Sequence, residues 1–201
     1  MIEWIEQVIT QTHYIGIFLL MLVENVFPPI PSEIILPMTG MLAAGGELSI
    51  IGALLASSLG ALAGAVFWYW VGLRLGRKRL EQFVHKHGRW TGLTPPDYKK
   101  VSSFFERHKE SSVFLARMVP GLRSFISIPA GLFKMGKVPF LAASLLGIFI
   151  WNSLLFAAGY YLRDSYQQAA ESVNLFANGV IIVLIAVYIY KVIRYRPENQ
   201  D

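Results

Sequence analysis

Four charged side chains lie inside otherwise apolar stretches of this 201-residue sequence, and they are the residues best suited to chemistry. Glu24 and Glu33 end a stretch with three prolines, ENVFPPIPSE, and Arg117 and Arg123 flank a Pro-Gly pair. A charge at the centre of a bilayer costs about 2.5–3.5 kcal/mol on insertion scales. Two acids and two arginines can neutralise one another, so we expect the four side chains to meet near the middle of a membrane.

The residue types favour binding of an anion. A guanidinium group binds phosphate oxygens in pairs and stays charged near neutral pH, so we predict that Arg117 and Arg123 bind phosphate. Backbone N–H groups at the ends of short helices can add donors. An anion on the arginines would take the partner away from a carboxylate and favour its protonation, which makes Glu24 and Glu33 candidate proton-coupling residues. The structural alternative is that the four charges only lock helices together through ion pairs.

The composition indicates an integral membrane protein. Apolar residues make up 54 % of the chain and charged residues 15 %, against a usual quarter. Residues 49–73, 139–162 and 173–190 contain no Asp, Glu, Lys or Arg, and each run can cross a hydrocarbon core of about 30 Å. We predict a single all-α, polytopic membrane domain over residues 1–201 with transmembrane helices at 49–73, 138–162 and 173–193.

Two further apolar regions are interrupted and too short to span. Residues 14–26 give roughly 20 Å of helix before the prolines end it. We predict a re-entrant hairpin over residues 14–45 and a second over 113–133. The residues that would shape these hairpins are Pro28, Pro31, Pro120, Gly121, Pro129 and Gly131. Irregular backbone at membrane depth is tolerated only where protein buries it or where it lines a polar cavity.

The two halves of the chain resemble each other. ALLASSLGALAGAVFWYWVG (53–72) aligns without a gap to FLAASLLGIFIWNSLLFAAG (140–159). The coinciding pairs are Leu54/Leu141, Ala56/Ala143, Ser57/Ser144, Leu59/Leu146, Gly60/Gly147 and Gly72/Gly159. Counting crossings back from a cytoplasmic C-terminus makes the repeats inverted, and broken helices at corresponding positions of inverted halves point to a transporter's binding site.

The charge distribution orients the chain. The net charge is +5, and residues 74–110 hold ten Lys and Arg against four Asp and Glu. The positive-inside rule places the basic segment 74–112, with its amphipathic helix, and the C-terminus in the cytoplasm. Residues 1–12 are predicted to form an interfacial helix, whose side of the membrane the sequence leaves open. This pattern argues against a nucleic-acid partner.

The sequence predicts no catalytic site, metal or cofactor. Cysteine is absent, which excludes disulfides, thiolate nucleophiles and Cys-ligated metals. The four histidines lie outside the predicted membrane core, and neither a Gly-x-Ser-x-Gly nor a His-x-x-Glu-His motif occurs. Ser32 and Ser124 are the candidate nucleophiles, but no base stands near them in the sequence pattern.

Three stretches resemble the DedA family, the bacterial members of the VTT (SNARE-associated) superfamily. They are ENVFPPIPSE, GALAGAVFWYWVGLRLGR and FLARMVPGLRSFISIPAG, and the resemblance covers about residues 14–162. It implies an inner-membrane protein with two facing re-entrant hairpins that translocates lipid in a manner driven by or sensitive to the proton motive force. It also implies that Glu24, Glu33, Arg117 and Arg123 are the functional residues. GYYLRD at 159–164 departs from the commoner Gly-Tyr-x-x-Gly, which affects the packing of that helix end.

The leading hypothesis is therefore a flippase or transporter for a phosphate-bearing lipid in the bacterial plasma membrane. The resemblance makes undecaprenyl phosphate the first candidate, and membrane lipids and protons are the expected partners. The alternatives are a phosphatidylethanolamine flippase or scramblase, a proton-coupled exporter of small cations and, from another class, a membrane scaffold that transports nothing. The oligomeric state is left open.

Overall fold

The structure of the chain is a computed structural model, and the residues it describes are 2–27, 32–76, 103, 105, 107–119 and 122–162. Seven α-helices are bounded within those ranges, and no strand occurs there, in agreement with the predicted all-α class. In chain order the helices are α1 (Ile2–Val26), α2 (Ser32–Ala44), α3 (Ile50–Leu75), α4 (Lys109–Arg117), α5 (Leu122–Phe125), α6 (Ser127–Leu132) and α7 (Lys137–Tyr161).

Several predicted features lie outside the described residues. They are the basic segment between 77 and 102, the third transmembrane helix at 173–193, and the hairpin-shaping residues Pro28, Pro31, Pro120 and Gly121. These stay predictions.

Helices α3 and α7 are long and apolar enough to cross a membrane. They contain 26 and 25 residues, which at about 1.5 Å per residue exceeds a core of about 30 Å. The start of α3 is fixed by Ser49, whose hydroxyl accepts a hydrogen bond from the backbone N–H of Gly52 at 3.1 Å, as expected of an N-cap. Both helices fall where the sequence has its long charge-free runs.

Helix α1 is kinked rather than straight. His13 has φ 51° and ψ −125°, a conformation outside the helical region, so the chain changes direction there. Beyond the kink, Ile17, Met21, Glu24 and Asn25 are buried. Their spacing of four, three and one residues places them on one face of the helix. The two polar residues, Glu24 and Asn25, are at the C-terminal end of that face.

Glycines set the closest contacts between helices. A Cβ on Gly60 of α3 would meet the carbonyl oxygen of Phe18 in α1, and a Cβ on Gly147 of α7 would lie 2.7 Å from the Cβ of Arg117 in α4. Gly72 and Gly159 are the next aligned pair. Gly72 lies against the carbonyl of Ile128 in α6, and Gly159 lies against the carbonyl of Pro37 in α2.

Helices α3 and α7 thus each contact one neighbouring helix through the first glycine of the alignment and a different helix through the second. Small residues at such positions allow helix backbones to approach closely in a membrane, where no hydrophobic force drives helices together. The re-entrant hairpins and the inverted repeat themselves stay predictions.

The glycine contact between α7 and α2 gives a testable prediction. Gly159→Val would place a branched side chain against the backbone of Pro37, so α2 and α7 would have to separate. We expect the free energy of unfolding to fall by about 1–3 kcal/mol, as in other overpacked sites. Thermal unfolding in detergent micelles measures this change, because for a chain of this size each kcal/mol lowers the unfolding temperature by about 2–4 °C. Ala142→Val, at an exposed position of the same helix, is the matched control and should unfold with the wild type.

Candidate functional site

Arg123 connects the two acids that end the first proline stretch. Its Nη2 lies 2.6 Å from Oε1 of Glu24 and 3.6 Å from Oε1 of Glu33. Glu24 is near the C-terminal end of α1 and Glu33 is the second residue of α2, so one guanidinium on α5 holds both helices. Glu24 is 3 % exposed and Arg123 9 % exposed, whereas Glu33 is only partly buried. The pair with Glu24 is therefore the shorter and the drier of the two.

Arg117 is held by neutral groups instead. It is 1 % exposed, and its Nη2 donates hydrogen bonds to Ser127 Oγ at 2.8 Å and to Ser144 Oγ at 3.1 Å. Its Nη1 donates to the backbone carbonyl of Arg123. Among the described residues, no carboxylate comes within 4.0 Å of its nitrogens. The guanidinium is thus fixed in orientation while its charge is not matched by an adjacent acid.

The local sequence explains why Arg117 points inward. Val113 and Arg117 are the buried residues of α4, and a spacing of four residues places them on one helix face. Gly147 lies against the Cβ and Cγ of Arg117, which lets α4 approach α7 closely. Ser144, which is one turn before Gly147 on the same face of α7, then reaches the guanidinium.

The two arginines and Glu24 line a small cleft with a volume of about 10 Å³. Asn25, Trp151 and Asn152 supply the rest of its polar surface, and Met21, Ala61 and Ile148 supply an apolar part. The ring of Trp151 lies under the guanidinium of Arg123, with 5.9 Å from Cζ to the ring centroid. Small-molecule sites usually enclose 300–1,000 Å³, so the cleft in this structure holds about one water-sized molecule and has to widen before a phosphate headgroup can enter.

Five buried polar atoms at this cleft have no hydrogen-bond partner in the described part of the protein. They are Glu24 Oε2, Asn25 Oδ1, Arg117 Nε, Trp151 Nε1 and Asn152 Nδ2. Buried polar atoms are nearly always hydrogen-bonded, and an unsatisfied one costs about 1–3 kcal/mol. Their concentration around one small cleft makes it the strongest candidate for a ligand site among the described residues.

Two of the predicted hairpin-shaping residues, Pro129 and Gly131, are in α6 and do not line the cleft. Pro129 is the third residue of α6, where its missing N–H costs no helical hydrogen bond. Gly131 is in the same helix, against the carbonyl of Tyr69 in α3. Within the described ranges, no group of three or more His, Cys, Asp and Glu side chains is placed to hold a metal ion.

Five residues of the site carry no charge, and a search for buried charges passes over them. They are Asn25, Ser127, Ser144, Trp151 and Asn152. The sequence does give a signal for Asn25 and Asn152. Burying an amide side chain among apolar residues costs free energy unless it has a hydrogen-bond partner, so an asparagine in an apolar run indicates a partner. The serines give no comparable signal, since hydroxyl groups in membrane helices can bond to their own backbone.

Comparison with known proteins places the chain among membrane proteins. The family profile described as VTT domain matches residues 30–161. An alkaline phosphatase-like protein of Lactococcus lactis is 36 % identical over 99 % of this chain and 96 % of its own. Undecaprenyl phosphate transporter A of Staphylococcus aureus is 34 % identical over 94 % and 96 %. Protein DedA of Escherichia coli is 27 % identical over 91 % and 83 %. No solved structure matches the chain significantly.

The geometry around Arg123 predicts that the two acids differ in their contribution to stability. Glu24→Gln removes the charge nearest to a buried guanidinium, and breaking such a pair typically costs about 3–5 kcal/mol. Glu33→Gln removes a longer contact at a partly solvated position and should cost much less. Thermal unfolding of both variants in detergent micelles measures the difference. Equal destabilisation by the two substitutions would contradict the assignment of Glu24 as the principal partner of Arg123.

Proposed function

The chain belongs to the VTT-domain (DedA) family, and from this premise we propose that it moves a phosphate-bearing lipid across the bacterial plasma membrane. The observation that carries the proposal is Arg117, a buried and oriented guanidinium with an unpartnered Nε at a polar cleft. A guanidinium fixed in this way favours an oxyanion, because its N–H groups are already directed and need no reorganisation. The transporter of Staphylococcus aureus makes undecaprenyl phosphate the first lipid to test.

The two arginines have different roles in this proposal. Arg123 is already engaged by Glu24 and Glu33, and Arg117 has only hydroxyl and carbonyl partners. An incoming phosphate would therefore meet Arg117 first. Contact with Arg123 requires the phosphate to compete with a carboxylate, which links binding of the anion to rearrangement of the acids.

Charge balance supports coupling to protons. Glu24, Glu33, Arg117 and Arg123 sum to zero when all four are ionised, so a phosphate anion makes the site negative. Uptake of a proton with the anion restores neutrality, and a net charge in a site of low dielectric is costly. Coupling of this kind would make transport sensitive to the proton motive force.

The name of the Lactococcus relative raises hydrolysis of a phosphate ester as a second activity. The serine hydroxyls nearest to Arg117 are those of Ser127 and Ser144, and both accept hydrogen bonds from this cation. A cation stabilises an oxyanion but cannot take the proton of a serine nucleophile, which is the task of a general base. We therefore propose transport rather than hydrolysis, and recovery of intact lipid after the transport assay tests the distinction.

Reconstitution in liposomes tests the transport proposal. Undecaprenyl phosphate is placed in the vesicle membrane, and its exposure at the outer leaflet is followed with an impermeant phosphatase, with and without a pH gradient. Phosphatidylethanolamine, followed with an impermeant amine reagent, is the parallel lipid. If neither lipid crosses faster than in protein-free vesicles, the transporter proposal is wrong and a scaffold role becomes the better one.

Arg117→Lys separates a phosphate site from a purely structural charge. The substitution keeps the charge but loses the planar fork, so transport should slow by roughly tenfold or more. Arg74→Lys is the matched control, because Arg74 lies at the end of α3 over the ring of Trp70, away from the cleft. Both variants are compared with the wild type in the liposome assay after their unfolding temperatures have been measured. Transport by Arg117→Lys at the wild-type rate would indicate that its charge is only structural.

A further inference from the structure

The cleft has a second polar wall that the two arginines and two acids do not explain. It consists of Asn25 on α1 and of Trp151 and Asn152 on α7, and we call it the amide–indole wall. Both asparagines are 2 % exposed. Trp151 and Asn152 are close to the middle of the 25-residue helix α7, so the wall is at the depth where polar groups are most expensive.

Each residue of the wall has a buried polar atom without a partner. The atoms are Asn25 Oδ1, Trp151 Nε1 and Asn152 Nδ2. The backbone carbonyl of Asn25, by contrast, is satisfied, because it accepts a hydrogen bond from Trp68 Nε1 at 3.1 Å. Since an unsatisfied buried group costs about 1–3 kcal/mol, three of them on one wall indicate that the wall bonds to something that enters the cleft.

The pattern of donors and acceptors narrows the chemistry of that ligand. The residues that line the cleft carry three N–H donors without a partner, at Arg117 Nε, Trp151 Nε1 and Asn152 Nδ2. They also carry two unpartnered acceptors, Glu24 Oε2 and Asn25 Oδ1. A matching ligand must accept several hydrogen bonds and donate at least one. A singly protonated phosphate monoester does both, because its free oxygens accept and its P–OH group donates.

We propose that Asn25, Trp151 and Asn152 bind the headgroup directly and make the cleft selective for phosphate monoesters over phosphodiesters. This inference rests on the proposed function, and it names the residues that would make the transporter selective for one class of phosphate headgroup. A diester has no P–OH group, so its phosphate would face the Glu24 carboxylate with no proton between the two negative groups. A monoester monoanion carries the same single negative charge as a diester, but its P–OH group places a proton between that charge and the carboxylate.

Inorganic phosphate offers the same chemistry as a lipid monoester, so the test has an arm for each. Binding of undecaprenyl phosphate to the protein in detergent micelles is measured by equilibrium titration at pH 6, where roughly half of a monoester is singly protonated. Phosphatidylglycerol serves as a diester, and phosphatidylethanolamine as a diester whose ammonium group could donate to Glu24. Inorganic phosphate is titrated as a competitor.

Two substitutions remove one donor each. Trp151→Phe keeps an aromatic ring beside Arg123 but has no N–H, and Asn152→Leu keeps the volume but not the amide. Each should weaken binding of undecaprenyl phosphate about tenfold or more, because hydrogen bonds to charged groups are worth about 1.5–3 kcal/mol. Phosphatidylglycerol should bind weakly to all variants.

The controls each remove one polar group from a residue that does not line the cleft. Trp70→Phe alters an exposed indole on α3, and Ser153→Ala removes a buried, unpartnered hydroxyl next to Asn152 that does not line the cleft. Both should bind undecaprenyl phosphate as the wild type does. Unfolding temperatures identify a variant that is damaged in folding, and Asn152→Ala then replaces Asn152→Leu.

Each result decides something. Wild-type affinity in Trp151→Phe and Asn152→Leu, or equal affinity of the wild type for monoester and diesters, overturns the role of the wall and leaves the transport proposal intact. Displacement of the lipid by an equal concentration of inorganic phosphate supports the chemistry of the wall with the free ion as its ligand. If the wild type binds none of the four compounds, the inference and the proposed function are both wrong.

Discussion

The contact between Arg123 and Glu24 is the constraint on which the rest of the site depends. Both side chains are almost completely buried, and the nitrogen and oxygen that meet are 2.6 Å apart. Neither charge can be left alone at this depth, because an unpaired buried charge costs far more than the pair. Helix α5 must therefore remain beside the C-terminal end of α1. The partly buried Glu33 extends the same constraint to α2, so one arginine holds both sides of the proline stretch.

Once Arg123 is fixed, the position of Arg117 follows from the chain. Arg123 follows Arg117 by six positions, and a guanidinium hydrogen bond from Arg117 to the backbone carbonyl of Arg123 links the two ends of that short segment. The other side of Arg117 is matched by α7, where Gly147 leaves room for its aliphatic carbons and Ser144 accepts a hydrogen bond. Hydroxyl groups satisfy the N–H donors without cancelling the charge. In the proposed function, this difference lets Arg117 attract an anion while Arg123 keeps the helices together.

The sequence predicted the all-α class and singled out the charged residues of the candidate site for one physical reason, which is the cost of charge in an apolar run. That cost applies to Glu24, Glu33, Arg117 and Arg123, whatever their neighbours are. It does not predict which arginine meets which acid, because the pairing depends on how α5 packs against α1 and α2. Nor does it identify the serines around Arg117 or the amide–indole wall, since neutral polar groups cost less and their partners are set by packing. The glycine pairs were visible in the alignment of the two long helices, but their contacts with α2 and α6 follow only from the three-dimensional arrangement.

The size and lining of the cleft also limit how a lipid can use it. Its volume of about 10 Å³ holds little more than one water molecule, so the cleft has to widen to take a headgroup, and a polyprenyl chain has to remain outside. The outward surface of α7 is apolar, and its exposed residues include Leu145, Phe149 and Leu154. A hydrocarbon tail can lie against this surface as readily as against lipid, because both are apolar. In the proposed transport, the protein therefore has to stabilise only the charged headgroup, which is the part of the lipid that the bilayer excludes. A small polar cleft between two long apolar helices meets that requirement, since the barrier to lipid translocation is the desolvation of the charged headgroup rather than the movement of its tail.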